Sequence, residues 1–205
     1  MSTSKKPNKT SSKPISGTLR ADILELTKKI FATQGYAASS IRDIANLAGV
    51  TGAALYYHFK SKEDLLCEII FEELDRIARD MRTALAQADS SEAALEAVIR
   101  AHLRYNVECP NESKIIIECS RYLSKTNHAA SEKKKVAIMS IYLTCIEELT
   151  ASGRIKTFDP VVTAFNIVST IVGWYRWFRP GGRISKAEAF EYTVRFAMAG
   201  VLENR

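Results

Sequence analysis

One stretch, from Ser39 to Leu66, constrains the fold of this chain more than any other; it reads SSIRDIANLAGVTGAALYYHFKSKEDLL. Ser40 and Asp43 have the spacing of a capping box, which predicts a helix start. Gly49 can adopt the left-handed backbone conformation that ends a helix tightly. Thr51 can cap a second helix, so the sequence predicts two short helices joined by a glycine turn.

The second of these helices has distinct inner and outer faces. Leu55 and Phe59 lie one helical turn apart and are expected to pack inward, which leaves Tyr56 pointing outward. Ser61 and Asp64 repeat the capping-box spacing and open a longer helix. A helix, a glycine-containing turn and a second helix form the geometry that places a recognition helix in the major groove of DNA.

The basic residues of the chain are concentrated near its start. The formal net charge is only +6, but residues 1–17 contain four lysines and no acidic residue. A polyanion is therefore expected to meet the first third of the chain. Residues 1–17 have almost nothing to bury and are predicted to be a disordered basic arm. Two interpretations of the arm stay open: it contacts DNA, or it is only a solvated tail.

The cysteine content bounds the cellular compartment. The four cysteines form no CxxC pair and have no histidine at a metal-ligand spacing, so we expect reduced thiols, no metal and no cofactor. The N-terminus lacks the apolar segment of a signal peptide, and the longest apolar stretch, 161–178, is interrupted by polar residues. These features predict a cytoplasmic protein that does not contact a membrane.

The remainder of the chain has the periodicity of helices. We predict an all-α fold of about nine helices: a three-helix helix-turn-helix domain and a larger helical domain. The predicted boundaries are 1–17 for the arm, 18–62 for the DNA-binding domain and 63–205 for the second domain. Ser91 is expected to cap a helix that Pro110 closes, and Asp159 followed by Pro160 should open a helix that runs to Phe178. Ser185 and Glu188 should open the last helix.

The last two helices carry much apolar surface. The helix after Pro160 is apolar nearly all round, so it must be covered on more than one side. The cover is either the core of the same protomer or the same helices of a second protomer. The candidate interface residues are Phe165, Val168, Val172, Phe190, Val194, Ala197, Met198 and Val201.

The segment from Leu19 to Leu66 resembles the DNA-binding domain of the TetR family of bacterial transcriptional regulators. The matching residues are FATQGYAASSIRDIANLAGV followed by the aromatic run LYYHFKSKEDLL. The resemblance implies a homodimer that binds a near-palindromic double-stranded operator and responds to a small-molecule effector. The larger domain, 63–205, would then be a ligand-binding and dimerisation domain, with its last two helices forming a four-helix bundle between protomers. The resemblance further implies that Tyr56 approaches the bases, and that Thr51, Tyr57, His58 and Lys62 grip phosphates. Such contacts would position the protein on DNA.

Further candidates for DNA contact lie at the start of the preceding helix and at the start of the recognition helix. The first set is Ser39, Ser40 and Arg42; the second is Gly52, Ala53 and Ala54. The second set departs from the family pattern, which often has lysine, glycine and a hydroxyl residue there. These small residues either let the helix approach the bases closely, with alanine methyls meeting thymine methyls, or only permit tight packing within the protein.

A narrower resemblance lies in GWYRWFRPGGRIS, from Gly173 to Ser185. This segment is similar to one found in TetR-type regulators of fatty-acid and steroid degradation, whose effectors are acyl-coenzyme A thioesters. The resemblance favours an acyl-CoA effector, although both tryptophans could instead be core residues. The candidate pocket residues are His102, Tyr122, Tyr142, Trp174, Arg176, Trp177 and Arg179.

Three classes of function follow from these patterns. The first is a repressor that an effector, preferably an acyl-CoA thioester, releases from its operator. The second is a related regulator: one of efflux or stress genes that senses a hydrophobic drug-like ligand, or one that answers to a protein partner and no small molecule. The third is an enzyme, which the sequence does not support because no Ser-His-acid, Cys-His or paired-carboxylate constellation is evident.

Overall fold

The computed structural model describes residues 18–155 and 159–202. The predicted basic arm, 1–17, lies outside the described residues. The all-α prediction is confirmed, because the described chain is helical apart from turns and one isolated antiparallel bridge between Ile155 and Leu202. The chain divides into two compact units, up to Leu65 and from Leu66 onward, close to the boundary predicted after residue 62.

The first unit contains three helices and the start of a fourth. These are α1 (Leu19–Thr33), α2 (Ile41–Ala48), α3 (Gly52–His58) and α4 (Lys62–Leu85), of which α4 continues into the second unit. Ile23, Phe31, Ile44, Leu55 and Phe59 are buried and form the core of this unit. Leu55 and Phe59 therefore face inward, as predicted.

The second unit contains the rest of α4 and six further helices. They are α5 (Ser91–Glu108), α6 (Pro110–Cys119), α7 (Lys125–Ala151), α8 (Pro160–Val172), the single turn α9 (Trp174–Trp177) and α10 (Lys186–Ala199), with a short 3-10 helix at Ser120–Tyr122. α5 is central, since it packs against α6, α7, α8, α9 and α10. Its buried face carries Leu95, Val98, Ile99 and Leu103 together with several polar side chains.

Two predicted boundaries were wrong. Ser90, not Ser91, caps α5, and its hydroxyl accepts from Ala93 N at 3.2 Å. The apolar stretch to Phe178 is not one helix, because α8 ends at Val172 and the single turn α9 begins at Trp174. Pro110 follows the end of α5 as predicted, since α5 stops at Glu108; Pro110 also opens α6, where its missing N–H leaves no helical bond unmade.

Two ion pairs join helices within the second unit. Both Nη atoms of Arg100 on α5 donate to the carboxylate of Glu191 on α10, at 2.7 and 2.8 Å. Lys134 on α7 donates to both carboxylate oxygens of Asp75 on α4 at 2.7 Å. The two parallel hydrogen bonds of the planar Arg100 guanidinium fix orientation as well as distance, so α10 is held in one register on α5.

Candidate DNA-binding face and ligand cavity

The turn between α2 and α3 forms as its sequence predicts. Ser40 Oγ accepts from Asp43 N at 3.2 Å, and the Asp43 carboxylate accepts from Ser40 N at 2.9 Å. Gly49 ends α2 at φ +68°, in the left-handed region. Thr51 Oγ1 then accepts from Ala54 N at 3.1 Å and caps α3. Local capping therefore fixes both ends of the turn.

The outer face of α3 is rich in exposed side chains. Tyr56 is 53% exposed and Tyr57 is 87% exposed, while Leu55 beneath them is fully buried. The rings of Tyr57 and His58 meet edge to face with centroids 5.2 Å apart. Exposed tyrosine hydroxyls beside a half-buried imidazole form a surface suited to phosphate oxygens and base edges.

Packing within the protein does not require a glycine at position 52, at the start of α3. A Cβ built on Gly52 meets no atom within 4 Å, and Ala53 is exposed. Of the two interpretations of this segment, tight packing within the protein therefore has no support at Gly52. For Ala54, which is half-buried, both interpretations stay open, and close approach to the bases stays a prediction.

Two of the predicted DNA contacts are engaged within the protein. Ser39 is buried and its hydroxyl donates to the carbonyl oxygen of Tyr36 at 2.9 Å. The Lys62 ammonium donates to the carbonyl oxygens of Ser39, at 2.6 Å, and Tyr36, and lies 4.2 Å from the centre of the Tyr36 ring. Lys62 thus ties the first residue of α4 to the loop between α1 and α2.

The other predicted residues lie at the surface or partly so. Ser40 and Arg42 at the start of α2 are exposed, but the Ser40 hydroxyl donates to Asp43 at 2.6 Å. Thr51, Gly52 and Ala53 are also exposed, and Ala54 and His58 are half-buried. Their contact with DNA stays a prediction.

A cavity of about 400 Å³ lies inside the second unit. Five helices line it: α4, α5, α6, α7 and α8. Most of its wall is apolar: Leu74, Ile77, Ile116, Ile117, Val136, Ile138, Met139, Phe165, Val168 and Val172. Its polar lining residues are His102, Tyr105, Asn106, Ser113, Glu132 and Lys135. A mostly apolar cavity with few polar groups is typical of sites for small organic ligands.

The exposed lining residues mark where the cavity meets solvent. Val136 and Phe165 are exposed, and Lys135 Nζ donates to Glu132 at 2.8 Å beside them. Lys133 and Lys134 lie between Glu132 and Lys135 on α7 but are not in the cavity wall, and Lys134 pairs with Asp75. Among the described residues, the charged lining at the rim is therefore one ion pair, Lys135 with Glu132.

Of the seven residues predicted to form a pocket, His102 alone lines this cavity. Tyr142 is fully buried behind it, and its hydroxyl lies 3.0 Å from His102 Nδ1. Trp174 is buried and stacks on Phe178 with centroids 4.8 Å apart, so it is a core residue. Tyr122, Arg176, Trp177 and Arg179 are exposed on the surface and are not in the cavity wall.

Burial changes the ionisation of His102 in the cavity wall and of Tyr142 behind it. Desolvation lowers the pKa of His102 from 6.5 to about 4, so the imidazole is neutral near pH 7. Burial likewise raises the pKa of Tyr142 well above its usual value. The cavity therefore presents uncharged groups at its buried end.

The sequence interpretation missed most of the cavity lining. Tyr105 and Asn106 lie within one turn of His102 on α5. A signal was present, because three polar residues interrupt the buried face of a helix that otherwise carries Leu95, Val98, Ile99 and Leu103. Such an interruption of an apolar stripe marks buried polar groups that need partners. Residues from α6 and α8 could not be placed without the tertiary structure.

The predicted dimer residues lie on two different faces. Val194, Ala197 and Val201 are buried inside the protomer, so they cannot reach another copy. Phe165, Val168 and Val172 line the cavity, and Phe190 and Met198 are half-buried. Of the predicted residues, Phe165 is exposed, and the rest of the apolar surface that α8 and α10 leave exposed is formed by Val161, Val162, Tyr192 and Phe196.

Neither a metal cluster nor a membrane-spanning helix occurs in the part of the chain that the structure describes. In residues 18–155 and 159–202, no group of three or more His, Cys, Asp or Glu side chains is placed to hold a metal ion. No helix in the described ranges combines the length and the apolarity needed to cross a bilayer.

Comparison with known proteins identifies the family of both units. Residues 23–69 match the family described as bacterial regulatory proteins, tetR family. Residues 88–201 match the tetracyclin repressor-like C-terminal domain. The second match covers more than half of the chain.

Several relatives are transcriptional regulators that align with most of this chain. The transcriptional repressor KstR2 of Rhodococcus jostii is 27% identical over 175 residues, which is 81% of this chain and 82% of that protein. The transcriptional activator FasR of Mycolicibacterium smegmatis is 26% identical over 89% of this chain and 82% of its own. The uncharacterized regulator YhgD of Bacillus subtilis is 30% identical over 70% of this chain and 75% of its own.

Solved structures show the same fold. KstR2 of Mycobacterium tuberculosis, a ketosteroid transcriptional regulator, superposes with a TM-score of 0.82 at 22% identity, covering 93% of this chain and 98% of its own. AibR in complex with isovaleryl coenzyme A and operator DNA superposes with a TM-score of 0.81 at 23% identity, covering 87% and 97%. With a helix-turn-helix unit, a helical second unit and family matches to both, the chain belongs to the TetR family of bacterial transcriptional regulators.

Proposed function

We propose that this regulator is a homodimeric repressor that an acyl-CoA thioester releases from a near-palindromic operator in the bacterial cytoplasm. The observation that carries the proposal is the apolar cavity of about 400 Å³ inside the second unit. A cavity of this size falls in the range of small-molecule sites. A regulator that answers only to a protein partner has no need for such a cavity, so a ligand is the better explanation.

The cavity and its surroundings favour a thioester over a purely apolar ligand. An acyl group can enter the apolar interior, and Lys133, exposed on α7 next to the lining residue Glu132, is proposed to attract the phosphates of coenzyme A. Val172, in the cavity wall, is followed directly by Gly173 and α9, which carries the exposed Arg176 and Trp177. Arginine suits phosphate and an exposed indole suits an adenine ring. The complex of AibR with isovaleryl coenzyme A supports this ligand class.

On DNA, α3 is the proposed recognition helix. Tyr56 is proposed to approach the bases, with Arg42, Thr51, Tyr57 and His58 on the phosphates. In a dimer, two such helices read half-sites about 34 Å apart, one turn of the duplex. The exposed apolar residues of α8 and α10, such as Val162 and Phe196, supply the proposed contact between protomers.

α4 offers a route from the ligand to the DNA-binding unit. It is one continuous helix from Lys62 to Leu85, and Leu74 and Ile77 in its second half line the cavity. A ligand that binds better to one position of α4 than to another shifts the population between them. A coupling free energy of about 1–3 kcal/mol suffices for a 5- to 150-fold change in operator affinity.

The experiment measures operator release by a defined panel of ligands. An operator is first selected from random duplexes, and a near-palindromic consensus is expected. Fluorescence anisotropy then follows its release by acyl-CoA thioesters of increasing chain length, by the matching free acids and by coenzyme A alone. We expect release by thioesters and not by the acids, and a thermal shift with the same ligands.

A variant with a filled cavity separates ligand sensing from DNA binding. Val168→Trp adds an indole in the cavity wall and should abolish release while operator affinity is retained. Thr144→Trp, at an exposed position of α7 outside the cavity wall, is the matched control and should respond as the wild type does. If no thioester binds and hydrophobic drug-like compounds release the operator instead, the effector class is wrong and the drug-sensing alternative replaces it.

A further inference from the structure

Four buried polar side chains interrupt the apolar wall of the cavity. His102, Tyr105 and Asn106 lie on one face of α5, and Ser113 lies on α6. All four are buried. A buried polar group costs free energy unless it is hydrogen-bonded, so the partners of each group determine what a ligand in the cavity meets.

Two of the four use their protons within the protein. The Tyr105 hydroxyl donates to Glu73 Oε2 at 3.1 Å, and burial, followed by the nearby Glu73 charge, raises the pKa of that hydroxyl. The Ser113 hydroxyl donates to the carbonyl oxygen of Cys109 at 3.0 Å. Neither side chain therefore has a proton left to offer a ligand.

Asn106 presents an acceptor. Its Nδ2 donates to the carbonyl oxygen of His102 at 2.9 Å. A carbonyl oxygen can only accept, so the amide atom that faces it must be the nitrogen, and Oδ1 is the other amide atom. Within the described ranges, Asn106 Oδ1 has no donor. The amide thus brings an unfilled acceptor to the cavity lining.

His102 presents a donor. Its Nδ1 lies 3.0 Å from the hydroxyl of Tyr142, which is fully buried. In the part of the chain that the structure describes, Nδ1 is the one acceptor within reach of that hydroxyl proton, so Tyr142 donates and Nδ1 accepts. A neutral imidazole then carries its own proton on Nε2. No acceptor for Nε2–H is found among the described residues.

From this pair of groups we infer that the effector carries an uncharged hydroxyl group, which accepts from His102 Nε2–H and donates to Asn106 Oδ1. The inference rests on the proposed function of the cavity as the effector site and adds the chemical class of the buried end of the ligand. A carboxylate cannot donate to Asn106 and would be buried beside a neutral imidazole. A ketone oxygen would accept from His102 Nε2–H but would leave Asn106 Oδ1 without a donor. An alkyl end would leave both groups without a hydrogen bond.

The test compares matched ligands on the wild-type protein. One pair is octanoyl-CoA and octanoyl-CoA with a single hydroxyl on the distal half of the chain. The second pair, n-octanol and methyl octyl ether, carries no coenzyme A. The ether can accept a hydrogen bond but cannot donate one. Dissociation constants are measured by isothermal titration calorimetry. We expect the hydroxylated member of each pair to bind about tenfold more tightly or better, because the other member leaves a buried group unpaired.

Variants assign the preference to the two residues. Asn106→Leu removes the acceptor, and His102→Phe combined with Tyr142→Phe removes the donor without leaving the tyrosine unpaired. Each should bring the two affinities to within about threefold or reverse them. Ser140→Ala is the control, because, like Asn106→Leu, it deletes a side-chain donor to the carbonyl oxygen four residues earlier, but Ser140 lies exposed on α7 outside the cavity wall.

The outcomes separate this inference from the proposed function. If the hydroxyl preference appears with the alcohols while no thioester binds, the inference stands and the acyl-CoA assignment fails. If the thioesters bind and release DNA with equal affinities for both members of the pair, the inference is overturned and the proposed function stands. Failure of every octyl probe to bind removes both. The wild-type comparison decides the matter even if a variant does not fold.

Discussion

The tie between Lys62 and the loop before α2 offers a sharp test of how the DNA-binding unit is held together. The Lys62 ammonium donates to the carbonyl oxygens of Ser39 and Tyr36 and lies over the Tyr36 ring. The family resemblance, in contrast, implies a phosphate contact for this lysine. Lys62→Met keeps most of the aliphatic stem and removes the charge, so it addresses the ammonium alone.

The structure sets the size of the expected effect. A hydrogen bond to a charged group contributes about 1.5–3 kcal/mol, and Lys62 makes two to main-chain oxygens. Lys62 is half-buried, so water replaces part of what the ammonium supplied. We therefore expect Lys62→Met to lower the free energy of unfolding by ~2 kcal/mol. For a chain of this length, the thermal midpoint should fall by roughly 4–8 °C.

Two measurements on the same variant separate the two roles. Thermal unfolding reports the tie, and the dependence of operator affinity on salt concentration counts phosphate contacts. We expect a lower midpoint with an unchanged salt slope. Lys60→Met, at an exposed neighbouring position, is the control and should change the unfolding free energy by less than ~0.5 kcal/mol. An unchanged midpoint with a salt slope reduced by about one per protomer would refute the tie and restore the phosphate contact.

Two further predictions concern the second unit. The pKa of His102 is about 4 in the folded chain and 6.5 in the unfolded chain. Between these pH values the unfolded chain binds more protons than the folded one. The free energy of unfolding therefore falls as the pH drops from 6.5 to about 4, by up to ~3 kcal/mol. Urea titrations should show this loss in the wild type and not in the variant with His102→Phe and Tyr142→Phe. Phe196→Glu, at a residue 69% exposed on α10, should dissociate the dimer in sedimentation equilibrium, whereas Val136→Glu on α7 should not; a dimeric Phe196→Glu protein would exclude that face.

Local chemistry explains why the helix starts and the turn before α3 could be predicted from the sequence. The capping boxes at Ser40 and Ser185 need only residues three apart, and both form. Gly49 adopts the left-handed conformation that its position in the turn predicts. The inward direction of Leu55 and the outward direction of Tyr56 follow from helical periodicity alone.

The dimer surface and the cavity depend on contacts that no local pattern encodes. α8 is apolar nearly all round, so its sequence does not show which side of the helix faces inward. Phe165 is exposed, whereas Ile167 and Ile171 are buried. On α10 the predicted stripe selected the buried face with Val194, and the exposed Phe196 was missed. The cavity joins five helices, so its lining is a property of tertiary packing.

α4 connects the two parts of the proposed mechanism in one quantitative step. Its first residue, Lys62, is tied to the loop before α2, and its residues Leu74 and Ile77 line the cavity. A 100-fold loss of operator affinity corresponds to a coupling free energy of ~2.7 kcal/mol. The tie at Lys62 is expected to contribute a free energy of the same order. A ligand that favours a position of α4 in which this tie is broken must therefore supply about this free energy through its higher affinity for that position.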